Sequence, residues 1–160
     1  FEMRVIEKGG RAAEVQQRLR EMGVRTVPNL DDLIDQSDIL SFHLPAVPET
    51  RGMVNSKFLE KLHPGTILIN TSRGDLVDEQ ALIRVLDEKA LRVGLDVYRD
   101  EPGSSDGKFS SVLACHPSVY GTHHIGASTA QAQSAVAKGV LEIIAAFGDG
   151  RILNCVNMPS

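Results

Sequence analysis

The sequence has few cysteines, no long apolar run and no excess of positive charge. The 2 cysteines, Cys115 and Cys155, form no spacing motif, and nothing resembles a secretory signal. No apolar stretch approaches the roughly 20 residues that a membrane span needs. With 17 Lys and Arg against 21 Asp and Glu, the chain offers no basic surface for nucleic acid or an anionic membrane. We therefore expect a cytoplasmic protein whose partners are small molecules, with no nucleic acid and no membrane.

Four sequence motifs of binding or catalytic sites are also missing. His43, His116, His123 and His124 lack His-x3-His spacing, there is no Cys-x2-Cys pair, and adjacent histidines at a strand end point apart. We therefore expect no metal site. The absence of Gly-x-Ser-x-Gly argues against a Ser/His/Asp hydrolase. Gly-x-Gly-x-x-Gly, the turn that cradles a dinucleotide pyrophosphate, does not occur either.

The chain does contain a regular alternation of two hydrophobic periods. Short apolar or β-branched runs predict strands at 3–7, 24–27, 38–43, 65–70, 91–97 and 118–122. Helical periodicity predicts helices at 10–22, 30–36, 56–62, 78–89 and 128–147. Because each parallel crossover carries a helix over one face of the sheet, this order predicts an α/β fold with a doubly wound parallel sheet and helices on both faces.

Helix starts and one loop are also marked in the sequence. Ser56, Asp78 and Ser128 each precede helical periodicity, and their side chains can cap exposed backbone N–H groups. The stretch 99–111 is rich in Gly, Ser and charge, which predicts a surface loop.

Polar side chains follow the predicted strands at the edge where an open parallel sheet collects its ligands. Arg73, Glu101 and His124 come after three successive strands, with Asp96 directly at a strand end. Taken singly, such an Arg suits a structural ion pair, such a Glu suits solvent, and such a His suits a structural role. Together they are the parts needed to bind an anionic keto acid and to move a proton.

Four segments carry a family resemblance that spans nearly the whole chain. They are "HLPAVPETRGMVN", "FLEKLHPGTILINTSRGDLVDEQAL", "LRVGLDVYRDEP" and "HIGASTAQAQ". In this order they resemble the NAD-dependent D-isomer-specific 2-hydroxyacid dehydrogenases, and most closely the phosphoglycerate dehydrogenases among them. The resemblance implies hydride transfer between NAD(H) and a D-2-hydroxy acid or 2-keto acid, with 3-phosphoglycerate and 3-phosphohydroxypyruvate in serine biosynthesis as the expected pair.

The resemblance also implies roles for the catalytic side chains. Arg73 matches the Arg that holds the substrate carboxylate and keto oxygen. His124 matches the acid/base, and Glu101 matches the carboxylate that orients this imidazole and favours its protonated form. His123 stands where the family commonly has Pro and is the alternative imidazole, but the spacing to Gly126 favours His124.

NAD is the cofactor that the resemblance implies. Glu7 ends the first strand where an acidic residue would contact the ribose, which favours NAD over NADP, although Lys8 and Arg11 lie close by. Asp96 matches the residue that holds the nicotinamide carboxamide. The cofactor-binding residues expected on this basis are Glu7, His43, Pro45, Thr50, Thr71, Ser72, Asp96, His124 and Gly126.

The missing glycine motif leads us to expect a partial dinucleotide-binding domain. Residues 1–148 would form that domain without its first strand and glycine fingerprint, which would lie upstream of Phe1, and 149–160 would return toward an absent substrate domain. The resemblance implies a homodimer for the complete protein. The isolated chain would bind NAD weakly and turn over little.

Three other functions stay open at this level. Glyoxylate/hydroxypyruvate reductase is the nearest enzymatic alternative, because substrate selection belongs largely to the second domain. A transcriptional corepressor of the C-terminal-binding type would bind NADH tightly with little turnover. A purely structural or regulatory fragment would do neither.

Overall fold

The computed structural model describes residues 4–6, 12–102 and 109–155, with side chains from residue 17 onward. The strands are β1 (Arg4–Ile6), β2 (Arg25–Val27), β3 (Ile39–Phe42), β4 (Ile67–Asn70), β5 (Arg92–Leu95) and β6 (Val119–Gly121). The helices are α1 (Ala12–Glu21), α2 (Leu30–Asp35), α3 (Ser56–Glu60), α4 (Glu79–Leu86) and α5 (Ala130–Gly148), with a 3-10 helix at Gly74–Leu76. Each predicted strand and helix is thus present, usually shorter by one to a few residues. The 3-10 helix was not predicted, because three residues carry no periodicity.

All strand pairs in the described sheets are parallel. β1 pairs with β2, and a second sheet has the order β3-β4-β5-β6. The predicted parallel α/β architecture is therefore confirmed.

One face of the larger sheet is buried much more completely than the other. Leu40, Leu68 and Val93 lie opposite one another in register and are at most 5% exposed. They belong to one apolar cluster with Phe58 and Leu59 of α3 and with the buried residues of α4 (Ala81, Leu82, Leu86). On the opposite face, Ile39 is 43% exposed. β3 therefore alternates between exposed and buried positions along its length.

Two of the three predicted helix caps are displaced by one residue. Asp78 caps α4 as predicted, because its side chain accepts a hydrogen bond from the Ala81 N–H. The cap of α3 is Asn55, and Ser56 is the first helical residue. The cap of α5 is Thr129 rather than Ser128, whose backbone N–H instead closes a turn on the Ile125 carbonyl at 2.9 Å.

The chain divides into two compact units, Phe1–Thr122 and His123–Ser160. The first contains both sheets and α1 to α4, and the second contains α5. No helix in the described part of the chain is both long enough and apolar enough to cross a membrane.

Truncation of Leu82 tests the packing of α4 on the sheet. Leu82 is 1% exposed, so Leu82→Ala should cost about 2–5 kcal/mol of unfolding free energy through lost burial and a residual cavity. Urea unfolding followed by far-UV circular dichroism measures this loss. Leu141→Ala is the matched control, because Leu141 on α5 is 67% exposed and its truncation should cost well under about 1 kcal/mol. Equal losses in the two variants would contradict the described packing.

Candidate active site

Four parallel strands end at the same level of the larger sheet. Phe42, Asn70 and Leu95 are register partners at the last positions of β3, β4 and β5, and Leu95 pairs with Gly121 of β6. The next residues along the chain are His43, Thr71, Asp96 and Thr122. The structure therefore places three predicted site residues, His43, Thr71 and Asp96, at one edge of the sheet.

The loop after β4 is organised by the buried side chain of Asn70. Asn70 is 2% exposed, and its Oδ1 accepts hydrogen bonds from the Ser72 N–H at 3.1 Å and the Ser72 hydroxyl at 2.9 Å. Its Nδ2 donates to the Arg73 carbonyl at 2.8 Å. One amide side chain thus satisfies polar groups of two successive residues, which fixes the path of the backbone up to Arg73.

Arg73 carries a guanidinium that is exposed to solvent. Its Nη1 donates to the neighbouring Ser72 carbonyl at 2.6 Å. Within the described residues it forms no ion pair with an Asp or Glu, so the structural ion pair that would suit a lone Arg is not formed here. A guanidinium fork with donors to spare can bind a carboxylate in bidentate geometry.

Backbone contact joins the Arg73 loop to the loop after β5. A Cβ atom on Gly74 would lie 2.1 Å from the carbonyl carbon and oxygen of Tyr98 and 2.5 Å from the nitrogen of Arg99. The φ of Gly74 is not in the left-handed region, so space alone requires glycine here. Glu79, the first residue of α4, adds a second tie by accepting the Arg99 N–H at 2.9 Å.

Glu101 is held against its own loop. Its Oε1 accepts the Tyr98 N–H at 2.5 Å. The Tyr98 side chain is buried and packs on Phe109 with ring centroids 5.0 Å apart. Burial raises the pKa of the Tyr98 phenol above its ordinary value, and the nearby carboxylates of Glu79, Glu101 and Asp96 raise that pKa further.

Asp96 is a buried carboxylate at the sheet edge. It is 6% exposed, and its Oδ1 accepts the Thr122 hydroxyl at 2.5 Å. Its backbone N–H donates to the Asn70 carbonyl at 3.0 Å, which ties the ends of β4 and β5 together. Asp96 thus places a buried carboxylate directly after β5, at the edge of the sheet.

The loop after β3 carries the next group of predicted cofactor residues. The His43 Nε2 lies 2.9 Å from the Ser41 Oγ, and Pro45 is exposed. The Thr50 hydroxyl donates to the Pro45 carbonyl at 2.5 Å and accepts the Val47 N–H at 3.0 Å. Thr50 therefore shapes this turn, and its hydroxyl is occupied by loop backbone.

His123, His124 and Gly126 belong to the second unit. His124 has φ +59°, a left-handed conformation that is uncommon for a residue with a Cβ atom. It is followed by the turn that precedes the Thr129 cap of α5. Strained backbone of this kind is enriched at functional sites. Glu7, the expected ribose contact, lies outside the described residues.

Sequence patterns did not identify the residues that hold the loops of the site in place. Asn70, Gly74, Tyr98 and Thr122 were not singled out as functional. The sequence does contain a signal for Asn70, because it is a polar residue at the end of the apolar run "GTILIN". For the other three, the deciding contacts are made with residues more than 20 positions away in the chain, so no local pattern marks them.

Comparison with known families decides the relationship of the chain. Residues 1–126 match the family described as D-isomer specific 2-hydroxyacid dehydrogenase, NAD binding domain. The chain belongs to this family. The doubly wound dinucleotide-binding fold and NAD as the cofactor of the domain are thereby confirmed.

Individual relatives agree with the family. D-3-phosphoglycerate dehydrogenase of Escherichia coli strain K12 is 35% identical over 148 residues, which cover 91% of this chain and 36% of the relative. A crystal structure of D-lactate dehydrogenase from Aquifex aeolicus complexed with NAD and lactic acid has a TM-score of 0.73 and 30% identity, covering 92% of this chain and 46% of that one. A D-isomer specific 2-hydroxyacid dehydrogenase from Xanthobacter autotrophicus Py2, in complex with NADPH and MES, has a TM-score of 0.72 and 32% identity, covering 98% and 61%. The chain thus spans about a third of the length of the curated relative.

Substitution of Gly74 tests the contact between the two loops. Gly74→Ala should lower the unfolding free energy by about 1–3 kcal/mol, because the new methyl overlaps the Tyr98 backbone. Thermal unfolding measures the change. Gly139→Ala makes the same chemical change inside α5, where a Cβ meets nothing within 4 Å, and should be neutral or stabilising by up to about 1 kcal/mol. A neutral Gly74→Ala would show that the loops are not in contact.

The raised pKa of Tyr98 predicts a loss of stability in alkali. Because the folded protein keeps the phenol proton at a pH where the unfolded chain has lost it, stability should fall as the pH rises above about 10. Tyr98→Phe should remove this part of the alkaline loss, measured as the melting temperature from pH 7 to about pH 11. Tyr120→Phe is the control, since Tyr120 is 77% exposed and its removal should leave the alkaline loss in place.

Proposed function

We propose that the complete gene product is an NAD-dependent D-2-hydroxyacid dehydrogenase that interconverts a D-2-hydroxy acid and its 2-keto acid. Family membership and the phosphoglycerate dehydrogenase relatives support this proposal. Among substrates we favour the pair 3-phosphoglycerate and 3-phosphohydroxypyruvate, on the similarity to those relatives. Glyoxylate or hydroxypyruvate reduction is the alternative that the same residues would serve.

The observation that carries the proposal is the Arg73 guanidinium, which follows the end of β4 and forms no ion pair among the residues that the structure describes. A 2-keto acid presents a carboxylate and an adjacent carbonyl oxygen, which together match the donors of one guanidinium. The loop that bears Arg73 is fixed by Asn70 on one side and by the Tyr98 backbone on the other. Such an Arg is positioned before any ligand arrives, which reduces the ordering cost of binding.

Proton transfer falls to His124 in this proposal. When bound, NAD accepts or supplies the hydride. His124 takes the hydroxyl proton in oxidation and returns a proton to the carbonyl oxygen in reduction. We assign to Glu101 the role of orienting the acid/base.

The described residues fit one end of the cofactor better than the other. The buried Asp96 carboxylate offers an acceptor for the nicotinamide carboxamide, and Thr71 and Ser72 add hydroxyl groups on the neighbouring loop. The sequence holds no glycine-rich turn for the pyrophosphate. We infer that this chain alone holds NAD weakly, and that residues 149–160 connect toward a substrate domain.

Assembly and location complete the proposal. We propose a homodimer on the family resemblance, and a cytoplasmic location because the chain has 2 cysteines without a pairing motif. Sedimentation of the complete gene product measures the oligomeric state.

Replacement of His124 by Asn tests the catalytic assignment. Asn tolerates the left-handed φ of +59° but cannot act as an acid or base, so His124→Asn should lower kcat/KM by about 100-fold to 10,000-fold with little change in folding. NADH oxidation by the complete gene product measures turnover of 3-phosphohydroxypyruvate, glyoxylate, hydroxypyruvate and pyruvate.

His123→Asn is the matched control and should retain activity near that of the wild type. If the two variants exchange these outcomes, His123 is the acid/base. Tight NADH binding by the wild type without turnover of any of the four acids would instead favour an NAD-sensing corepressor.

A further inference from the structure

Asn70 occupies an unusual place in the site, because it is buried and polar yet touches no proposed ligand group. Its side chain uses both atoms of the amide: Oδ1 accepts two hydrogen bonds from Ser72, and Nδ2 donates one to the Arg73 carbonyl. A buried amide normally needs such partners, but they need not all lie in one loop. Here they do, and that loop carries Arg73, which forms no ion pair in the described part of the chain.

The backbone of Asn70 makes a further connection. Its carbonyl oxygen accepts the Asp96 N–H at 3.0 Å. A single residue at the end of β4 therefore contacts the Arg73 loop through its side chain and the Asp96 strand end through its backbone. This is the arrangement expected of a residue that sets the position of other functional groups.

We propose that Asn70 is a positioning residue that aims the Arg73 guanidinium at the substrate carboxylate. The inference rests on the proposed function. It makes the preference of the reaction for substrates with a carboxylate depend on Asn70, through the position of Arg73. Asn→Asp at this position keeps the shape and both acceptor contacts but removes the donor to the Arg73 carbonyl. It also places a negative charge three residues before Arg73, where it can draw the guanidinium away from the substrate.

Carboxylate selectivity is the decisive measurement. It is the ratio of kcat/KM for the best 2-keto acid to kcat/KM for the aldehyde that lacks its carboxylate, each with NADH and the complete gene product. A change in folding or in cofactor binding lowers both terms and cancels in the ratio. Because misplacement by about 1 Å can cost up to about 100-fold, Asn70→Asp should lower the ratio by about tenfold or more.

Asn55→Asp is the matched control. Asn55 also accepts a backbone N–H, that of Phe58 at 3.2 Å, and also donates to a carbonyl, that of Gly52 at 3.3 Å. Asp is as good a helix cap as Asn, so this variant should keep the ratio within about twofold of the wild type. An unchanged ratio in Asn70→Asp, with or without a loss of overall activity, would overturn the proposal.

The rate of amide hydrogen exchange over residues 71–74 tests the inference without any measurement of enzyme activity. If the wild type reduces no 2-keto acid, the proposed function fails, while exchange still reports whether Asn70 fixes the loop. Faster exchange in Asn70→Asp than in Asn55→Asp supports the positioning role, and equal exchange overturns it. Asn70→Ser replaces the Asp variant if circular dichroism shows that the latter does not fold.

Discussion

The candidate site depends on one constraint: the parallel strands β3, β4 and β5 all end at the same position along the sheet. Phe42, Asn70 and Leu95 are register partners, so the three following loops leave the sheet side by side. A slip of one residue would turn Asn70 from the buried face to the other face and carry the Arg73 loop with it. The apolar cluster that includes Leu40, Leu68 and Val93 opposes such a slip, since these buried residues would have to become exposed.

In the loops after β4 and β5, the backbone groups stabilise the protein, whereas the Arg73 side chain is the group that the proposed function needs. Backbone N–H and carbonyl groups are satisfied within the protein, by Asn70 in one loop and by Glu79 and Glu101 in the next. The Arg73 guanidinium, by contrast, has no carboxylate partner among the described residues. For the proposed function, this combination gives a charged group on fixed backbone, which suits recognition of a small anion.

The sequence predicted the elements well because hydrophobic period is a local property. It also predicted that Arg73, Asp96 and Glu101 follow strands. This was possible because the distance of a residue from the end of a predicted strand is read directly from the sequence. It did not predict that the Thr50 hydroxyl is used by its own turn, or that Gly74 touches the Tyr98 backbone. Those facts depend on how distant loops meet. The shifted caps, Asn55 and Thr129, arose because neighbouring polar residues compete for the same helix start.

Arg73 forms no ion pair within the described residues, and in the proposed reaction this affects how the substrate anion reaches the site. The chain has a net charge of -4, so at long range it repels a carboxylate. An Arg neutralised by an internal acid would leave that repulsion in place at the sheet edge, whereas an unpaired one creates a local attractive field. Salt screens such fields over roughly 8–10 Å. In the proposed reaction, capture of the substrate anion would therefore begin close to the strand ends and would weaken as ionic strength rises.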